Sequence, residues 1–143
     1  MSNGPIPSKL TFLSTLPSHK AGTKVRFLGC VTRSTAKTST ISLEHAYPLL
    51  ASGKKNGAVV ALVDIQLLLE TLKRDDIQIG EWVNIIGYVQ EDAKEEGRES
   101  AAEKGFVQIK VQAIILWSAG RINLREYEKG LMGRLKTDTE SEG

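Results

Sequence analysis

The sequence is poor in the residues that carry catalytic and redox chemistry. Its 143 residues include one cysteine, Cys30, and two histidines, His19 and His45. One cysteine excludes an internal disulfide and offers no thiolate cluster to a metal. Cys30 lies in the apolar run KVRFLGCVTR and reads as a small buried apolar side chain rather than a nucleophile. The histidines are far apart and have no acidic or cysteine neighbours at ligand spacing, and His45, at a strand end, reads as structural. A Gly-rich phosphate loop, an H-E-x-x-H and a C-x-x-C are all missing. Glu81 in GEW stands without a matched second carboxylate, and Asp64 reads as a helix cap. Neither an enzyme nor a bound cofactor or metal is expected. No apolar run approaches the ~20 residues of a membrane span. The opening MSNGPIPSKL has no apolar signal core. A soluble protein of a reducing compartment is the expectation.

Charge is distributed unevenly. Residues 1–57 carry eight basic residues against one acid, and the remaining 86 carry eleven against sixteen. Such a split reads either as chance clustering on a solvated surface or as one basic face that meets nucleic-acid phosphates.

The length suits one domain with a real core. Residues 1–20 read as a flexible arm. Lys24–Arg33 alternates as a strand, with Val25, Phe27, Gly29 and Val31 on one face, and Gly29 suggests a bend or bulge. Thr40–Ala46 and Ala58–Val63 read as the second and third strands. Ile65, Leu68, Leu69 and Leu72 fall at helical spacing, which predicts about three helical turns over 65–74. EWVNIIGYVQ (81–90) is a fourth strand. Residues 91–104, EDAKEEGRESAAEK, read as a flexible acidic loop. Residues 105–118 are a fifth strand. A terminal helix comes next, with Asn123 as its cap and Leu124, Tyr127, Leu131 and Leu135 on one stripe. Residues 137–143 read as a disordered tail. Five strands with a helix between the third and fourth, plus a C-terminal helix, is the order of the OB fold, a Greek-key barrel. The fold class is thus all-β with helices, and residues 21–136 form the domain.

Three stretches resemble one family: KVRFLGCV (24–31), IGEWVNIIGYV (79–89) after the helix, and VQAIILWSAGRINLREYEKGL (111–131). They are similar to the smallest subunit, Ten, of the telomere-capping CST complex in its fungal form, over about residues 20–135. The acidic insert 91–104 and the basic loop 51–57 have no counterpart in that match. The resemblance implies an OB barrel without enzymatic activity. It implies a heterodimer with the N-terminal OB domain of the Stn subunit, like the two smaller subunits of replication protein A. It further implies a Cdc-type or Ctc-type large subunit, single-stranded telomeric DNA as a ligand, and a nuclear, telomeric location.

The fifth strand poses a specific question. In FVQIKVQAIILWSAG the alternation stops after Ala113. If Val111, Ala113, Ile115 and Trp117 point inward, Ile114 and Leu116 point outward and need apolar cover. Leu124, Tyr127, Leu131 and Leu135 of the terminal helix can cover part of that wall by folding back; either helix and strand satisfy each other in a monomer or, as the resemblance implies, a partner chain covers the rest. These six residues are the expected partner interface. Lys24, Arg26, Arg33, Lys37, Lys54, Lys55 and Tyr88 are the expected nucleic-acid contacts. Aromatics are thin and Phe27 and Trp117 are assigned to the core, so binding of a strand by the lone chain is expected to be weak and salt-sensitive. The alternatives are a free-standing single-strand binder and a small enzyme or ligand binder using the barrel mouth.

Overall fold

The computed structural model describes residues 7–47, 59–73, 77–91 and 107–142, the last five as backbone only. Its strands are β1 (Lys9–Leu10), β2 (Lys24–Thr35), β3 (Thr40–Glu44), β4 (Val59–Asp64), β5 (Trp82–Val89) and β6 (Val107–Ser118). One helix, α1 (Leu124–Glu142), comes after them. The sheet runs β1-β2-β3-β4-β6-β5, and β2 pairs back onto β5. Strands β2–β6 therefore close into the five-stranded barrel expected, with a parallel β4–β6 pair completing the wall.

Alternation builds the core. Val25, Phe27, Val31, Ile41, Leu43, Ala61, Val63, Val83, Ile85, Val111 and Ala113 all point inward and are buried. Strand β2 is long enough to pair with β5 through Lys24–Cys30 and with β3 through Cys30–Thr35. The bulge that lets it turn lies between Val31 and Arg33. Gly29 has a different task from the expected bend. A Cβ there would lie 2.8 Å from Leu43 Cβ and 2.9 Å from Leu13 Cδ1, so the glycine makes room for core side chains.

Leu13 shows that the N-terminal segment is not wholly a flexible arm. Lys9 and Leu10 pair in parallel with Val25 and Arg26. A 3-10 helix, Leu13–Ser18, then buries Leu13 and Leu16 in the barrel core. The apolar patch KLTFLSTL is a plug, and burying two leucines stabilises it by about 3–5 kcal/mol. The segment after β4 also differs from expectation. Asp64 Oδ1 does accept from the Gln66 N–H at 2.9 Å. The chain then makes a single 3-10 turn, Gln66–Leu68, and not three α-helical turns. Ile65 is buried, Leu68 and Leu72 lean on the core, and Leu67 and Leu69 remain exposed, so one turn satisfies the apolar demand. At the other end, α1 runs on to Glu142, where a disordered tail was expected. The tail has no proline to stop the helix, and Thr137 Oγ1 bonds back to Gly133 O. The acidic loop lies outside the described residues from residue 92 to 106.

Candidate interaction surfaces

The decisive local feature is a bulge in β6. Ile86 pairs with Ile115, and Gly87 pairs with Ala113, which leaves Ile114 as the extra residue. One inserted residue flips every side chain that comes after it. The assignment of faces beyond Ala113 is therefore the reverse of the sequence expectation. Leu116 pairs across from inward Ile85 and packs against the core. Ile115 and Trp117 point outward, opposite Ile86 and Asn84. Gly87 permits this, since a Cβ there would collide with the Gln112 carbonyl oxygen. The four successive apolar residues Ile114–Trp117 were the signal, and Gly87 on the paired strand was its companion.

The corrected wall is a continuous outward patch on β2, β5 and β6. Ile115 is 48% exposed beside half-buried Ile86. The Arg26 guanidinium lies 5.2 Å over the Trp117 ring, a cation–π contact worth about 0.5–1 kcal/mol where exposed. Lys24 pairs with Tyr88 at the far end of the same face. Two groups of expected residues thus share one surface. Lys24, Arg26 and Tyr88 belong to the strand-binding set, and they stand beside β6 of the partner set.

The other expected cations stand elsewhere. Arg33 and Lys37 lie at the opposite end of β2, where Arg33 lines a groove of about 660 Å³ over β3 and β4. Thr35, Thr38, Thr40 and Ser42 give that groove hydroxyls, and Val60 and Leu62 give it an apolar floor. Among the described residues no aromatic ring lines it, so they offer bases nothing to stack on there. Lys54 and Lys55 lie outside the described residues. The expected single basic face is split between two surfaces because the bulged β2 carries its two ends to different sides of the barrel.

The terminal helix uses its stripe largely on its own chain. Asn123 Oδ1 caps it by accepting from the Glu126 N–H at 3.1 Å. Leu131 is 5% exposed, and Leu124, Tyr127 and Leu135 are half-buried. Enclosing Leu131 stabilises the docked helix by about 2 kcal/mol. Leu131 is therefore unavailable to a partner in this arrangement, contrary to expectation. Glu128 reaches His45 with Oε2 2.6 Å from Nε2. His45 is enclosed by Phe12, Tyr47, Trp82 and Tyr127. Burial raises the Tyr127 hydroxyl above its ordinary value, and the Arg26 charge opposes that rise. Tyr127 and Trp82 of β5 both pack on the His45 ring, so α1 borders the β5 side of the wall. Burial, then Glu44 and Glu81, push the half-buried Cys30 thiol up, which disfavours its thiolate. Among the described residues no group of side chains could hold a metal, and no helix is long and apolar enough to cross a membrane.

A second apolar surface lies at the barrel end beyond the 3-10 turn. Leu67, Leu69 and Ile79 are 63%, 50% and 72% exposed. Helical spacing leaves Leu67 off the apolar stripe but puts Leu69 on it, and the single 3-10 turn leaves both exposed.

The comparisons with known proteins agree with this architecture. No curated protein matches the sequence. A chain in the crystal structure of the Schizosaccharomyces pombe Stn1–Ten1 complex superposes with a TM-score of 0.63 at 26% identity, covering 93% of this chain and 96% of that one. The crystal structure of the telomere-capping protein Ten1 from the same yeast gives 0.60 at 26% identity, covering 91% and 99%. An Entamoeba histolytica asparaginyl-tRNA synthetase matches at 0.50 with 17% identity over 26% of its own length, which is likeness of fold alone. The family model for Ten1, a telomere-capping CST complex subunit, matches residues 1–132. With that match spanning the whole barrel, its N-terminal plug and the first turns of α1, the chain belongs to the Ten1 family of telomere-capping subunits.

Proposed function

We propose that this chain is the small, non-enzymatic subunit of a CST assembly and pairs with the N-terminal OB domain of an Stn subunit through its β2–β5–β6 wall. The observation that carries the reading is the outward step of Ile86, Ile115 and Trp117, flanked by Arg26 and bordered by α1. A closed barrel needs no such surface for its own folding, and an aromatic with an arginine beside it is typical of interface anchors. The solved Stn1–Ten1 complex supports the choice of partner. Attachment to a Cdc-type or Ctc-type large subunit at nuclear telomeres belongs to the same reading.

Contact with single-stranded DNA is auxiliary in this account. The hydroxyl-lined groove holds Arg33, with Lys37 in the turn between its lining residues Thr35 and Thr38, and meets a backbone through cations and hydroxyls rather than by stacking bases. Two phosphate contacts give a slope of about −1.4 in log affinity against log salt. Light scattering on the chain alone and mixed with the Stn domain tests the pairing. A stable one-to-one complex supports it. A monomer that ignores that domain, yet binds telomeric strand tightly at physiological salt, replaces it with a free-standing strand binder.

A further inference from the structure

We propose that His45 and Glu128 form a latch that holds α1 on the barrel as a separately releasable strap, and that the closed strap forms one rim of the partner wall. The first clause stands on the isolated chain. The second rests on the pairing proposed above.

Apolar packing holds α1 only lightly. The helix has 19 residues, and Leu131 is the one described side chain in it that is fully enclosed. Gly130 and Gly133 face open space, so no close approach requires them, and each lowers the helix's own stability. A specific polar contact stands against this weakness. The His45 side chain is 3% exposed, boxed by rings that come from four separate segments. A carboxylate partner places the hydrogen of that contact on Nε2. Glu128 is 20% exposed on its side.

The latch is therefore asymmetric. Its barrel half is fixed among Phe12, Tyr47 and Trp82, while its helix half sits at the edge of solvent. On release Glu128 regains water, and the barrel core of β2 and β5 is untouched. The closed state is also incompletely satisfied. His45 Nδ1 and Tyr127 Oη are buried without a hydrogen-bond partner, a cost that opening relieves. Tyr127 ties the strap to the wall, since it shares the His45 ring with Trp82, the first residue of β5.

Hydrogen exchange on the full chain tests both clauses, with Glu128→Ala and Glu128→Gln as variants. Alanine removes the latch and favours the helix itself, and glutamine keeps an oxygen acceptor for Nε2. Glu128→Ala is expected to speed exchange of amides 127–135 by about tenfold or more, with β2 and β5 unchanged, and Glu128→Gln to restore most of the protection. Unchanged exchange in α1 overturns the latch. Equal acceleration in β2 and β5 also overturns it, since the contact would then hold the barrel rather than a strap. Saturating Stn domain is expected to slow wild-type α1 exchange about tenfold. If that domain binds and α1 is unaffected, the rim clause fails alone. If it does not bind, pairing and rim fall together and the latch result stands.

Discussion

The bulge at Ile114 makes a sharp prediction about two neighbouring residues. Leu116 packs against the core and Ile115 is 48% exposed on the outer wall. Truncating a core leucine costs about 2–5 kcal/mol. Leu116 is only partly enclosed, so Leu116→Ala should cost about 2–3 kcal/mol. Half the side chain of Ile115 already faces water, which leaves less than about 1 kcal/mol to lose in Ile115→Ala. In urea, with a slope of about 2 kcal/mol per molar, the Leu116 variant should unfold about 1 M earlier and the Ile115 variant less than about 0.5 M earlier. Unbroken alternation predicts the reverse order. If Ile115→Ala proves the more damaging of the two, the bulge and the wall built on it are wrong.

Gly87→Ala forces a Cβ into the Gln112 carbonyl and to 3.0 Å from Ala113 Cα; backbone cannot yield as a side-chain tip can, and a loss of more than about 2 kcal/mol in chemical denaturation is expected. A near-neutral result would mean that β5 and β6 pair in another register. Gly130→Ala and Gly133→Ala meet nothing within 4 Å, and each should raise helicity and add up to about 1 kcal/mol; circular dichroism that shows no gain would contradict the open setting of α1. Burial, then the Lys9 charge, hold His19 below its ordinary 6.5. Its unfolded form thus takes up the proton first, so its contribution is full above 6.5 and is lost as pH falls through the depressed folded value. Stability of His19→Gln should fall less steeply with acid than that of wild type, and parallel pH profiles would refute this.

Much of the barrel was legible because period-two alternation is a direct imprint of a wall with one buried face. Val83, Ile85 and Val89 against Asn84, Ile86 and Tyr88 is the clearest case, and both sets lie where alternation puts them. The failures have one kind of cause. A bulge adds a residue without changing composition, so Ile114–Trp117 reads as an uninterrupted strand while its faces exchange at Ile114. Ile65–Leu72 satisfies helical spacing, yet a single 3-10 turn places Ile65 and Leu68 against the core equally well. KLTFLSTL has too few residues to show a period, and only Gly29, a strand away, hints that Leu13 needs space. The candidate surfaces were less legible than the core. Arg26 and Trp117 meet across strands, and no local pattern links them.

The β2–β5–β6 wall is the face on which we propose that this chain meets an Stn subunit. The most direct measurement is calorimetric titration of the wild-type chain and of Ile115→Glu with the Stn N-terminal OB domain. Wild type should form a one-to-one complex. The variant should bind at least about tenfold more weakly, or by about 1.4 kcal/mol, at an unchanged melting temperature. Equal affinities would show that the wall is not the contact, and no binding by wild type would contradict the pairing itself.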